Sequence, residues 1–192
     1  AIGMTIMKPT LVRGAEANTK IKAGVIGLGG RGAWIANFVK KHGGYEVTAV
    51  ADYFDKVAQS VGERLGVDKA NRFSGLSGYK KVIASGIDAI FLETPPCFFP
   101  EHAAAAVAGG CHVYVAKPVA CDVPGCMTIS EAAARSKAGK KVFLVDFQTR
   151  TDPMYIKGIE SLLAGDIGKI GMLCSRYIDE SFSDPPQTKT IE

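Results

Sequence analysis

No stretch of this sequence is apolar over the roughly 18 or more consecutive positions that a membrane-crossing helix needs, so a bilayer is not among the expected partners. Cysteine is present but unpatterned. Cys97, Cys111, Cys121, Cys126 and Cys174 form no C-x-x-C pair and have no histidine at metal-ligand spacing. We therefore expect no structural metal, and free thiols that are buried or half-buried as small apolar fillers. Charge of one sign is scarce as well: 23 Lys and Arg stand against 19 Asp and Glu, a net +4 with no basic face or tail, which makes nucleic acid an unlikely ligand. Internal repeats and low-complexity tracts are missing. The remaining composition, 47% hydrophobic and 22% charged, is that of a chain able to bury a core.

The strongest signal that is present lies near the start. The apolar run Ile21-Lys-Ala-Gly-Val-Ile26 leads directly into Gly27-Leu-Gly29-Gly30-Arg31-Gly32. In this G-x-G-x-x-G spacing the first glycine permits a tight turn out of a strand, and the second lets backbone approach a pyrophosphate. The third lets the following helix, expected from about Gly32 to Lys41, pack close to the sheet. Phosphates would then meet the helix N-terminus, where unpaired N–H groups and the dipole favour anions. The next apolar run, Glu46 to Ala51, is closed by an acid, Asp52. That is the position from which a carboxylate reaches a ribose 2′-hydroxyl. Asp52 would repel a 2′-phosphate, and no Arg or Lys occupies positions 53 to 55, so NAD is expected rather than NADP.

Strand and helix patterns alternate from there. Helix is expected from Asp55, a short strand at Arg72 to Ser74, a buried strand at Asp88 to Thr94 and a helix at Glu101 to Ala108. Strand His112 to Val115, helix Val123 to Ala138 and strand Lys141 to Val145 follow. This order predicts an α/β, doubly wound parallel sheet, the Rossmann arrangement, over residues 21–150. The grammar changes after Thr151: Asp152-Pro153 reads as an N-cap and N1 pair, Ile156, Ile159, Leu162 and Leu163 as an apolar stripe, and Gly165 as a helix stop. Gly168 to Ile178 reads as one long strand. Residues 151–192 are too few for a core of their own, so they are expected to begin an incomplete α+β second domain. Residues 1–20 read as either a disordered extension or an export-signal remnant. Ala15-Glu16-Ala17 fits a small-residue cleavage site, with a mature chain from Asn18.

A second block is Thr94-Pro95-Pro96 with His102, followed by Cys111-His-Val-Tyr-Val-Ala-Lys117-Pro118. At the C-terminal ends of parallel strands these residues would face the crevice where α/β sheets bind ligands. Lys117 could polarise a substrate hydroxyl or carry its proton. Together with Ala23 to Gly32 and Phe147-Gln-Thr-Arg-Thr-Asp-Pro153, these stretches resemble the Gfo/Idh/MocA family, relatives of glucose-fructose oxidoreductase and inositol dehydrogenase. The resemblance runs from Ile21 to about Ile178.

The resemblance implies a hydride-transferring enzyme that uses NAD(P) on a sugar, polyol or related small carbohydrate. Lys117 would be the catalytic residue. Gly27, Gly29, Gly30, Arg31, Gly32 and Asp52 would hold the cofactor, with Thr94, Pro95 and His102 over the nicotinamide ribose. For His102 a second reading, a helix-start residue bonded to backbone, stays open. Arg150 and Tyr155 would line the substrate pocket, whereas Asp152 fits a helix cap. The family pattern has Glu before the Lys-Pro pair; here Ala116 stands in its place, and whatever contact that glutamate makes is lost. The family's downstream Asp and His lie beyond this sequence. The resemblance also implies a homo-oligomer and a twin-arginine export signal for relatives with such an N-terminal segment. The alternatives are an NAD-using glycosidase and a non-catalytic sugar- or nucleotide-binding module.

Overall fold

The computed structural model describes residues 20–174, 176 and 178; the segment read as an export signal, with its cleavage point after Ala17, lies outside them. The chain divides into two compact units, up to Phe147 and from Gln148 onward.

The first unit is a six-stranded sheet built from β1 (Ile21–Ile26), β2 (Tyr45–Asp52), β3 (Arg72–Ser74), β4 (Ala89–Leu92), β5 (His112–Ala116) and β6 (Phe143–Asp146). Every pairing is parallel and the order is β3-β2-β1-β4-β5-β6. This is the doubly wound Rossmann fold, with the order reversing between β1 and β4. The helices are α1 (Gly30–Lys41), α2 (Asp55–Leu65), α3 (Gly78–Ala84), α4 (Phe99–Ala108) and α5 (Val123–Ala138).

Each helix buries one stripe. In α1 the buried positions are Gly32, Ala36 and Val39; in α5 they are Gly125, Ile129, Ala132 and Ser136. Both follow the three-to-four-residue spacing that puts side chains on one face. Asp122 starts α5 by accepting the Gly125 N–H at 2.7 Å, and Gly66 ends α2 in the left-handed region, with φ of 81°. The core lies in two clusters. One joins α1 and α2 to β1 and β2 through Val25, Val39, Val50 and Leu65. The other joins α3, α4 and α5 to β4 and β5 through Val82, Ile90, Leu92, Phe99 and Ile129.

Several expectations shift. Helix α1 starts at Gly30, inside the glycine turn, because Gly29 already has the extended conformation of a cap. Strand β6 begins at Phe143 because Lys140, at φ of 55°, turns the chain out of α5 first. Helix α3 is absent from the sequence reading; its seven residues begin within Gly75-Leu-Ser-Gly78, which reads as a loop. The expected filler role for cysteine holds for Cys111 alone, since Cys97, Cys121, Cys126 and Cys174 are exposed. Cys126, for instance, comes one position after buried Gly125 and so turns off the inward stripe of α5.

The second unit contains a 3-10 turn at Gln148–Thr151 and α6 (Pro153–Ala164). Asp152 caps α6 by accepting the Met154 N–H at 2.8 Å, and Gly165 closes it at φ of 85°. The apolar stripe is present but uncovered: Ile156, Ile159 and Leu163 are exposed, the last at 79%. Gly168 to Cys174 form no strand, contrary to expectation. A strand persists through its ladder to a neighbour, and the described residues supply no partner.

Candidate nucleotide-binding site

All six strands run the same way, so the turns after β1, β2, β4, β5 and β6 open on one edge of the sheet. The turn after β1 is the best defined. Gly27 has φ of 84°, and a Cβ there would lie 2.6 Å from the Glu93 carbonyl carbon. A Cβ on Gly32 would come within 1.8 Å of the Gly27 carbonyl oxygen. Both positions therefore require glycine. Gly29 and Gly30 differ: a Cβ on either meets nothing within 4 Å, so that side of the turn is open. No side chain caps the first turn of α1, which leaves its N-terminal N–H groups available to an anion.

Asp52 ends β2 beside this turn. One carboxylate oxygen accepts the Leu28 N–H at 2.7 Å and the other the Phe54 N–H at 3.0 Å. The carboxylate is thus aimed by backbone on both sides, with each oxygen keeping a second lone pair.

Two acids that the sequence reading passed over, Glu93 and Asp146, meet Arg31 across the turn. Arg31 places its Nε 3.1 Å from an oxygen of Glu93 and its Nη2 against Asp146. The Glu93 side chain is fully buried, and neither of its oxygens has an aligned hydrogen bond. Burial raises the Glu93 pKa above the usual carboxylate value; Arg31 opposes that and Asp146 adds to it. Burial raises the phenol of Tyr114 on β5 well above the ordinary value, and the neighbouring Asp146 carboxylate adds to the rise. The signal for the acids was in the sequence. Ile90-Phe-Leu-Glu93 and Phe143-Leu-Val-Asp146 each end an apolar run with an acid, as Val50-Ala-Asp52 does.

Lys117 follows β5 at the same edge and is exposed; its peptide bond to Pro118 is cis. Ala116 is buried and pairs in register with Asp146. Thr94 places its hydroxyl 3.4 Å from Nδ1 of His102, and Pro95 is exposed beside it. His102 itself is only 5% exposed, packed against the rings of Tyr79 and Phe98. Burial lowers its pKa. It thus meets Thr94 rather than backbone, and reaches the edge of the sheet through that hydroxyl. The structure brings Gly27 to Gly32, Asp52, Thr94, Pro95 and Lys117 to one edge. Arg150 and Tyr155 belong to the second unit, where both are exposed.

Residues 21–145 match the family described as an oxidoreductase family with an NAD-binding Rossmann fold. The chain is 32% identical over 149 residues to inositol 2-dehydrogenase 3 of Saccharopolyspora erythraea, covering 77% of this chain and 42% of that protein. The crystal structure of myo-inositol 2-dehydrogenase from Lactobacillus plantarum superposes with a TM-score of 0.67 at 28% identity, over 79% of this chain and 43% of the other. A variant of a 3-ketoreductase from Actinomadura kijaniata, in complex with TDP-benzene and NADP, gives 0.66 at 25% identity, over 79% and 44% of the two chains. The chain spans less than half the length of these proteins.

Proposed function

The chain belongs to the Gfo/Idh/MocA oxidoreductase family, and from that premise we propose that the full-length protein is an NAD-dependent dehydrogenase of a polyol or sugar. The observation that carries the cofactor half is the glycine turn. Gly27 and Gly32 are barred from carrying a side chain, while Gly29 and Gly30 face open space at an uncapped helix N-terminus. Those residues fit a pyrophosphate. The preference for NAD rests on Asp52, whose fixed carboxylate suits ribose hydroxyls and repels a phosphate, and on the absence of a cation at Tyr53, Phe54 or Asp55. The polyol assignment rests on the inositol dehydrogenases among the relatives.

When bound, the nicotinamide supplies the hydride acceptor. Lys117 serves as the group that orients the substrate hydroxyl and shares its proton. Thr94, held by His102, and Pro95 shape the wall on the β4 side. Arg150 and Tyr155 are assigned to substrate contact. We also propose that the precursor is exported and cut after Ala17, which N-terminal sequencing of natively expressed protein tests, and that the full-length enzyme is a homo-oligomer.

The test is turnover by full-length protein with NAD over a panel of inositols, other polyols and sugars, read by nicotinamide absorbance. Reduction of NAD by a panel member is expected. Lys117→Met should lower it by about 10²- to 10⁴-fold while NAD affinity is retained. Absence of turnover, or near-normal turnover by the variant, overturns the dehydrogenase reading or the role of Lys117 respectively. Sugar cleavage without net NADH points to the glycosidase branch instead.

A further inference from the structure

Arg31 sits inside the phosphate-binding turn, and on sequence grounds its charge belongs to the cofactor. Its guanidinium is committed elsewhere. It meets Glu93, which follows β4, and Asp146, which ends β6. Between those two strands runs β5. Register places Leu92 level with Val115 and Ala116 level with Asp146, so Glu93, Ala116 and Asp146 form one row across three strand ends. Adjacent strands lie about 4.8 Å apart, so Arg31 bridges acids whose backbones stand roughly 10 Å apart across the row. The side chain between them is a single methyl group. A glutamate at 116 would put a third carboxylate in that gap.

The row also supports the turn. Glu93 extends the ladder, its N–H donating to the Ile26 carbonyl at 2.8 Å. Its Cβ is 3.2 Å from where a Cβ on Gly32 would stand. Glu93, fully buried, therefore lies behind the turn at which a pyrophosphate is to bind, Asp146 follows in the same row, and Arg31 is the cation that meets both. Tyr114, on β5 with Ala116 and under the influence of Asp146 and Glu93, is a further titratable side chain near the group.

We infer that Arg31 is a positioning residue, not a phosphate ligand: it is an ionic latch, spanning from Glu93 past Ala116 to Asp146, that ties the glycine turn to the strand ends and shields the incoming pyrophosphate from the two acids. This rests on the NAD-binding reading above. The two roles differ in what happens when the acids are neutralised. A latch is needed only while the acids are charged, whereas a phosphate ligand is needed regardless.

The experiment is a mutant cycle in the full-length protein, read by calorimetric titration with NAD. Arg31→Gln should weaken binding on the order of tenfold, because two buried or half-buried charges lose their counterion. Adding Glu93→Gln and Asp146→Asn to Arg31→Gln should restore affinity to within about threefold of the unmodified protein, since the repulsion goes with the charges. Failure of that rescue, with the loss persisting in the triple variant, overturns the latch and makes Arg31 a phosphate ligand.

Hydrogen exchange of the Gly29 to Gly32 amides without nucleotide supplies a second readout. Exchange should quicken in Arg31→Gln and stay quick in the triple variant, which lacks the tie as well; unchanged exchange in Arg31→Gln also overturns the latch. If the unmodified protein does not bind NAD, the nucleotide reading fails on its own, and the exchange data still decide whether Arg31 ties down the turn. Should Arg31→Gln fail to fold, Arg31→Lys replaces it. That variant keeps the charge but not the two-pronged span, and should show an intermediate loss.

Discussion

The ends of β2 and β4 flank β1 symmetrically, and each carries an acid at the close of an apolar strand, yet the two acids live in opposite surroundings. Asp52 is partly exposed and receives backbone N–H donors on both oxygens. Glu93 is sealed beneath the glycine turn, with an arginine as its close charged partner and no aligned hydrogen bond. The same chemistry at equivalent places in the topology thus yields one acid left open to further donors and one closed in beneath the turn. Solvation makes the difference. A carboxylate with backbone donors and water is stable as a charge, and one without them depends on a counterion.

The largest perturbation of this arrangement is Gly32→Ala, which strikes the turn between the two acids. Its Cβ would fall 1.8 Å from the Gly27 carbonyl oxygen, a collision with backbone that no rotamer relieves. A loss of at least about 3 kcal/mol is expected, measured by denaturant unfolding beside the same substitution at Gly30, where the space is open. Equal tolerance at both sites would show that the turn is not packed as described.

Next in size is Asp52→Ser. It removes the carboxylate from the β2 end and should weaken NAD binding on the order of tenfold while affecting NADP less, so the preference between them narrows. Paired titrations with both dinucleotides measure this. A tighter affinity of the unmodified protein for NADP would refute the role of Asp52.

The smallest effect is a slope in stability with pH. The folded state raises the Glu93 pKa above its ordinary 4.5, so between those two values the folded protein holds the proton more tightly than the unfolded chain. Stability is therefore greatest below the ordinary carboxylate value and falls as pH rises through the folded one. His102 contributes the opposite slope. Burial lowers its pKa below the ordinary 6.5, and stability falls as pH drops below that value, because the unfolded chain gains a proton that the folded one resists. Glu93→Gln should flatten the first slope and leave the second, and His102→Gln the reverse. Chemical denaturation across a pH series checks both; an unchanged profile in Glu93→Gln would mean that the carboxyl is not held out of water.

What could be read from the sequence was whatever depends on local geometry. The turn from Gly27 to Gly32 was legible because only glycine satisfies a positive φ and close backbone approach, and Asp152-Pro153 because a cap acts within its own few residues. Alternating apolar runs and helical stripes placed all six strands and five of the six helices among the described residues, since their burial pattern repeats along the chain. Helix α3 escaped because it is short and begins in a glycine-rich run. The expected strand at Gly168 to Ile178 failed because β structure belongs to a pair of segments, and one of them was missing from the described residues.

The candidate site divides along the same line. The positions of Asp52 and Lys117 at strand ends were legible from spacing and resemblance, but the partnership of Arg31 with Glu93 and Asp146 was not, although both acids repeat the pattern that marked Asp52. The chain separates Arg31 from Asp146 by 115 positions. Sequence alone determined which strands end in a charged residue; the parallel order β1-β4-β5-β6 determined that two of those charges, Glu93 and Asp146, meet at Arg31. Lateral order in a sheet is set by packing of the whole unit, and electrostatic energy depends on distances that only that packing creates.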